Sequence, residues 1–394
     1  MGGAYPMKKL FYAGLVGLLL FEIAKVYFIM PMPGSQRMDS LDLAYFLHVW
    51  RWAFRIAFLV MIVAGARAAF GVERKWLPVL AMLPVAAIVL LFNFKMTADH
   101  MFREPVNPVY LGKDKNAVDA EAVVIGVEHN GEARAYPVRF IVYHHQVRDT
   151  VGGKPVMVTY CSVCRTGRVY DPVVDGQPET FRLVGMDHFN AMFEDATTGS
   201  WWRQVSGEAV TGKRKGAQLA TLPFTQMSLK RWFELHPEGK VLQADGTDPK
   251  HFDVEGKFER GESKSKLTGT AKGSWEEKSW VLGVEVGAAS KAYDWNQLKK
   301  VRVINDEVGG TAIVVALSPD EKSFVAFERP AGVTFALEGD KLVGGENRYD
   351  FAGRELPAAN SIVGHTPRVL KTVAASQEFW HSWRTFHPAT LRGE

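Results

Sequence analysis

Set against itself with an offset of 157, this chain of 394 residues places Gly126-Val127-Glu128 on Gly283-Val284-Glu285. The same offset puts Ala135-Tyr136 on Ala292-Tyr293, and Asp149-Thr150-Val151-Gly152-Gly153 on Asp306-Glu307-Val308-Gly309-Gly310. Between 123–160 and 280–317 there are 11 identities in 38 positions without a gap. A chain that repeats itself in this way has to fold twice into one pattern. Its only two cysteines, Cys161 and Cys164, lie in the first copy; at the same offset they fall on Ser318 and Glu321. One copy keeps a thiol pair that the other lacks, so chemistry is expected in the first.

The first 96 residues are of another kind. They hold ten Lys/Arg against four Asp/Glu, whereas the remainder holds 37 against 39. The basic excess is confined to the N-terminal part, and the remainder offers no basic surface for nucleic acid. Leu10–Met30, Phe54–Phe70 (with the pattern reaching back to Leu41) and Trp76–Phe94 are apolar runs. A bilayer core takes roughly 20 apolar residues per helix, so three spans are expected, with the lipid bilayer as partner. A cleaved signal peptide fits the first run poorly: the run is too long, lacks a small-x-small site and is followed by two more. Lys8 and Lys9 at one end, and Arg67, Arg74 and Lys75 between the second and third runs, mark cytoplasmic ends. Everything from about residue 97 onward is then expected outside, in a bacterium the periplasm, with the protein in the inner membrane. Thiols there meet an oxidising compartment.

The segments expected are a transmembrane helical region over 1–96 and a linker or membrane-surface collar over 97–121. A first repeat follows over 122–245, then a linker or insertion over 246–276 and a degenerate second repeat over 277–394. Short β-like runs separated by Gly152-Gly153, Asp175-Gly176 and Gly199 fill the first repeat. Each repeat closes on an aromatic, helix-like piece ending Trp-x-x-x-His-Pro, at Trp232/His236/Pro237 and Trp383/His387/Pro388. The fold class expected is three N-terminal transmembrane α-helices followed by a duplicated β-rich α+β domain.

Tyr160-Cys161-x-x-Cys164, Tyr170-Asp171, Asp175-Gly176 and Gly185-Met186-Asp187-His188-x-Asn190-Ala191-Met192-Phe193 occur in that order. Gly199-Ser200-x-Trp202-x-Gln204-x-x-Gly207-Glu208-Ala209 completes the series. Together these motifs resemble the bacterial domain-of-unknown-function family 3179. Many of its members carry Pro after the first Cys and Gly after the second, where this chain has Ser162 and Arg165. The resemblance implies a domain type and brings no activity, so the chemistry has to come from the residues.

Three readings of the thiol pair stay open. As a structural disulfide it closes a four-residue loop, which contributes only about 2 kcal/mol in the chain-entropy model. As a dithiol oxidoreductase, coupled to quinone through the spans, it lacks the helix that would start at the first Cys and stabilise a thiolate. Arg165 and Arg168 are its local cations. As a metal site it supplies half the ligands of a structural zinc, or the thiolates of a copper(I) site, which takes fewer, softer ligands and suits thiolates joined by a thioether or imidazole. His188, Met186, His144 and His145 are the candidate further ligands, and at least one is expected to converge on the sulfurs. A strand would turn His144 and His145 to opposite faces. The favoured reading is a membrane-anchored module that binds copper or works in redox through Cys161 and Cys164, alone or with a membrane or periplasmic protein partner. Whether it turns over a substrate stays open.

Trp202 and Gln204 alternate onto one strand face and, with Arg165 and Asn190, could wall a pocket beside the cysteines; one of Trp201 and Trp202 is expected in the core. In the membrane part, His48, Arg51 and Arg55 share one helix face. Glu22 and Arg55 reach similar depth, so an ion pair between the first two spans is expected. The alternative use of this polar face is a haem or quinone site with His48 and His100.

Overall fold

The computed structural model describes residues 4–71, 73–247, 249–357 and 367–393. The chain divides into two compact units. The first combines Met1–Arg103 with Thr180–Arg203 and Glu208–Ala217; the second holds Glu104–Glu179, Gln204–Gly207 and Gln218–Glu394.

In the first unit, helices α1 (Ala4–Tyr27), α2 (Leu41–Val49), α3 (Arg51–Phe70) and α4 (Trp76–Phe94) follow one another. Three stretches, Pro6–Tyr27, Arg51–Phe70 and Trp76–Phe94, are long and apolar enough to cross a membrane. The second begins at Arg51 rather than Leu41, because the chain breaks its helix at Trp50. α1 and α3 pack closely where Gly65 lies against α1; a Cβ there would sit 2.5 Å from the Phe11 amide nitrogen. Glu22 takes a fork from Arg55, Nε to Oε1 at 2.6 Å and Nη2 to Oε2 at 3.1 Å. Asn93 of α4 donates to Glu22 at 2.9 Å and accepts from Lys25 at 2.6 Å. The buried carboxylate thus has partners from all three apolar helices, as a charge among apolar side chains requires. A short helix, α5 (Ala98–Met101), follows.

The same unit contains an antiparallel meander, Phe181–Asp187, Asn190–Asp195 and Trp201–Arg203. Its apolar face, with Val184, Met192 and Trp201, is buried by Ala44 of α2 together with Phe28, Ile29, Leu41 and Tyr45. This piece of the first repeat therefore shares a core with the N-terminal helices.

The second unit is built twice. Lys240–Leu242, Glu132–Pro137, Val123–His129 and Thr225–Ser228 lie side by side in one sheet, with Tyr110–Gly112 added at the edge. Leu391–Arg392, Ala289–Asp294, Trp280–Val286 and Ala374–Phe379 repeat that order. The second sheet of each copy is an antiparallel meander: Gln146–Val151, Lys154–Cys161, Thr166–Tyr170 and Val303–Val308, Thr311–Leu317, Phe324–Glu328. Their registers match, Gln146 opposite Thr159 and Val303 opposite Ala316. Each copy has a helix before that meander, α6 (Val138–His144) or α8 (Trp295–Val301), and a closing helix, α7 (Leu229–Leu235) or α9 (Trp380–Phe386). The repeated pattern has a physical cause at Gly126 and Gly283. A Cβ there would meet the Trp232 ring at 2.2 Å and the Trp383 ring at 2.1 Å, so only glycine lets the closing helix seat its tryptophan on the sheet. Tyr136 donates to Asp149 at 2.7 Å and Tyr293 to Asp306 at 2.9 Å, again at equivalent positions. In the segment between the copies, Phe258 enters the first copy's core. Glu259 beside it is clasped by Arg139 at 3.0 Å.

Candidate functional site

Strand Lys154–Cys161 turns through Ser162–Arg165 into strand Thr166–Tyr170, with Cys161 opposite Thr166. Both cysteines therefore sit, fully buried, at the tip of a β-hairpin. Arg165 closes the turn at φ +57°, the left-handed region that glycine adopts most easily. Its side chain holds it there. Nε donates to Gln377 Oε1 at 3.0 Å, and Nη1 and Nη2 donate to the Phe258 and Glu259 carbonyls at 2.8 Å each. The guanidinium lies 3.6 Å from the centre of the Trp280 ring. Gln204 braces the hairpin from another side, donating to Thr159 Oγ1 and to the Thr166 carbonyl, both at 3.0 Å.

The lid over this tip comes from the second copy. The Phe379 amide donates to the Cys164 carbonyl at 2.9 Å, just before α9 begins. From α9, His381 Nε2 meets the Val163 carbonyl at 3.1 Å, and the Ser382 hydroxyl reaches Cys164. Lys278 Nζ donates to the same Val163 carbonyl at 2.8 Å. Ser382 also donates to Glu378 Oε2 at 2.8 Å, and Glu378 Oε1 takes Arg168 Nη2 at 2.6 Å. A buried polar chain thus runs Cys164–Ser382–Glu378–Arg168. The other copy shows the mirror arrangement: Arg231 of α7 donates to Ser318, the residue standing where Cys161 would be, at 3.1 Å.

Burial, then the hydrogen bond to Cys161, push the Cys164 thiol well above the usual range, while Ser382 pulls the other way. Burial lowers the Lys278 ammonium, whereas charge on Cys164 or Cys161 would raise it again. Burial thus favours the protonated form of the Cys164 thiol, and the neighbouring Lys278 is a cation that could balance a thiolate. Among the described residues no group of three or more His, Cys, Asp and Glu is arranged to hold a metal ion.

The residues singled out in the sequence are placed as follows. His144 and His145 end α6 instead of lying on a strand, so strand alternation does not govern them. His145 Nδ1 faces the Tyr143 carbonyl at 2.9 Å, and burial drops its pKa to about 4. His144 packs among Tyr143 and Phe252. Met186 and His188 belong to the first unit; His188 Nδ1 meets Asp187 at 2.8 Å and Nε2 meets Asp39 at 3.3 Å. Asn190 is buried in the meander opposite Asp187. Trp202 is core there, its indole donating to Asp195 at 2.9 Å. Trp201 packs against Tyr45 and His48. His48 Nε2 meets Glu194 at 2.8 Å, Arg51 donates to the His48 carbonyl at 2.6 Å, and the His100 carbonyl accepts from Arg103 at 3.3 Å. Of the pocket set, Arg165 forms part of the cysteine hairpin's turn and Gln204 braces it.

Lys278, Glu378, His381 and Ser382 were not singled out. His381 and Ser382 carried a signal: the Trp-x-x-x-His-Pro endings align α9 with α7 at an offset of 151.

The chain thus combines three apolar helices with a duplicated β-rich domain whose first copy buries two cysteines at a hairpin tip beneath the second copy. The chain belongs to the family described as protein of unknown function (DUF3179), whose model matches residues 106–390. No curated protein and no solved structure matches it.

Proposed function

We propose that this protein is a membrane-anchored module that holds one copper(I) ion between Cys161 and Cys164, with residues from about 97 onward on the periplasmic side of a bacterial inner membrane. The observation that carries the reading is the hairpin tip itself, where two neighbouring thiols share the Val163 loop with the Lys278 ammonium. Copper(I) is content with few, soft ligands, so two thiolates suffice where zinc would need two more. Binding releases both thiol protons, and a copper(I) ion on two thiolates carries one net negative charge. Lys278 supplies the balancing positive charge. Full burial of both sulfurs counts against thiol–disulfide exchange, which needs an accessible thiolate to meet its partner.

The test is an anaerobic copper(I) titration of the full-length protein against a competing chelator. One copper per chain is expected, with two sulfur scatterers in its X-ray absorption spectrum, and none in the Cys161→Ser/Cys164→Ser variant. Equal uptake by the variant, or thiols that count as an irreducible disulfide in the native protein, would overturn the reading.

A further inference from the structure

We propose that the cavity between the two copies of the second unit binds an uncharged, largely apolar small molecule. The cavity has a volume of about 910 Å³, within the range of small-molecule sites. Both copies build it, and they do so with equivalent groups. Glu128 and His236 come from the first copy, Glu285 and His387 from the second. Between them apolar side chains, including Met227, Trp232, Phe327 and Phe351, form the larger part of the wall, with hydroxyls and amides such as those of Thr225 and Gln226 among them.

The class of ligand follows from how the charges in that wall are spent. Glu128 faces Arg354 at 3.5 Å and His236 at 3.6 Å. Glu285 faces His387 at 3.4 Å, and Arg168 is held by Glu378 at 2.6 Å. Each carboxylate and guanidinium lining the cavity is thus already matched within the protein. A charged ligand would bring an uncompensated charge into a site with a largely apolar wall, and desolvation opposes that. Burial lowers the pKa of His236, which leaves a neutral imidazole there at pH 7. Such an imidazole can donate to a carbonyl or accept from a hydroxyl. An uncharged, largely apolar body with a few hydrogen-bonding groups matches this wall. This inference does not depend on the metal at the thiol pair.

The test is photolabelling of the full-length protein in lipid nanodiscs with benzophenone and, separately, with its charged analogue 4-benzoylbenzoate, the sites being mapped by mass spectrometry. Benzophenone should label Met227 and its neighbours saturably, and the carboxylate at least tenfold less. An excess of 2-naphthol should suppress the labelling, and an excess of naphthalene-2-sulfonate should leave it. Ala352→Trp, which fills the cavity, or Val369→Trp at its exposed rim, should lower labelling at least tenfold with the melting temperature retained. Equal labelling by the two probes, labelling confined to the three long apolar helices, or indifference to 2-naphthol in the unmodified protein would overturn the proposal, whatever the variants do.

Discussion

Gln226 and Gln377 occupy the same position in the two copies, and they meet: Gln226 Nε2 donates to Gln377 Oε1 at 3.1 Å, both side chains buried. Their contact lies where each copy closes the other, Phe379 reaching Cys164 and Arg231 reaching Ser318. The two are not equal, because the Gln377 oxygen also accepts from Arg165. Gln377→Leu leaves a buried guanidinium donor and a buried amide without that acceptor. It should destabilise by about 3 kcal/mol, against about 1 kcal/mol for Gln226→Leu, since unpaired charged donors are the costlier loss. Chemical denaturation of both variants checks the order; equal losses would contradict the asymmetry.

Arg165→Gly exchanges one stabilisation for another. Glycine would relieve the left-handed backbone, worth roughly 1–2 kcal/mol. The guanidinium bonds to Gln377, Phe258 and Glu259 would all go, and hydrogen bonds of a charged group contribute about 1.5–3 kcal/mol each. A net loss of about 3 kcal/mol is expected. Arg165→Lys should recover little of it, because a single ammonium cannot reach the three acceptors in a plane. A stabilised glycine variant would show that the side chain does not hold the turn.

His145 sets a pH dependence with a definite sign. Its folded pKa of about 4 lies below the unfolded value of roughly 6.5. The unfolded chain takes up the proton first, so stability present above about pH 6.5 is lost progressively as pH falls toward 4. The full span corresponds to about 3 kcal/mol. His145→Asn keeps a residue tolerant of the +61° φ at this position and removes the titration. Its denaturation midpoint should fall less between pH 7 and pH 4.5 than that of the unmodified protein; parallel curves would rule His145 out.

The proposed periplasmic placement rests on Lys8, Lys9, Arg67, Arg74 and Lys75 lying on the cytoplasmic side. A C-terminal alkaline phosphatase fusion should be active in a bacterial host, and a C-terminal fluorescent protein dark. The opposite pair of results would place the thiol pair in a reducing compartment and remove the periplasmic part of the functional proposal.

Much of this architecture was legible in the chain. The offset of 157 anticipates the matching registers because strand pairing is written in short, local, alternating patterns. The three apolar runs anticipate three helices, and equal depth anticipates the bond between Glu22 and Arg55. What the sequence by itself could not determine is which copy covers the thiols. Glu378 and Arg168 are 210 positions apart, and His381 and Val163 are 218 apart. The meander at 181–203 shares its core with α2 for the same kind of reason. Local propensity and periodicity specify what a residue does with neighbours a few positions away. Which apolar face is buried against which, and so which Ser, Lys and Glu arrive beside Cys164, is decided only when the whole chain packs and every buried polar group has to find a partner.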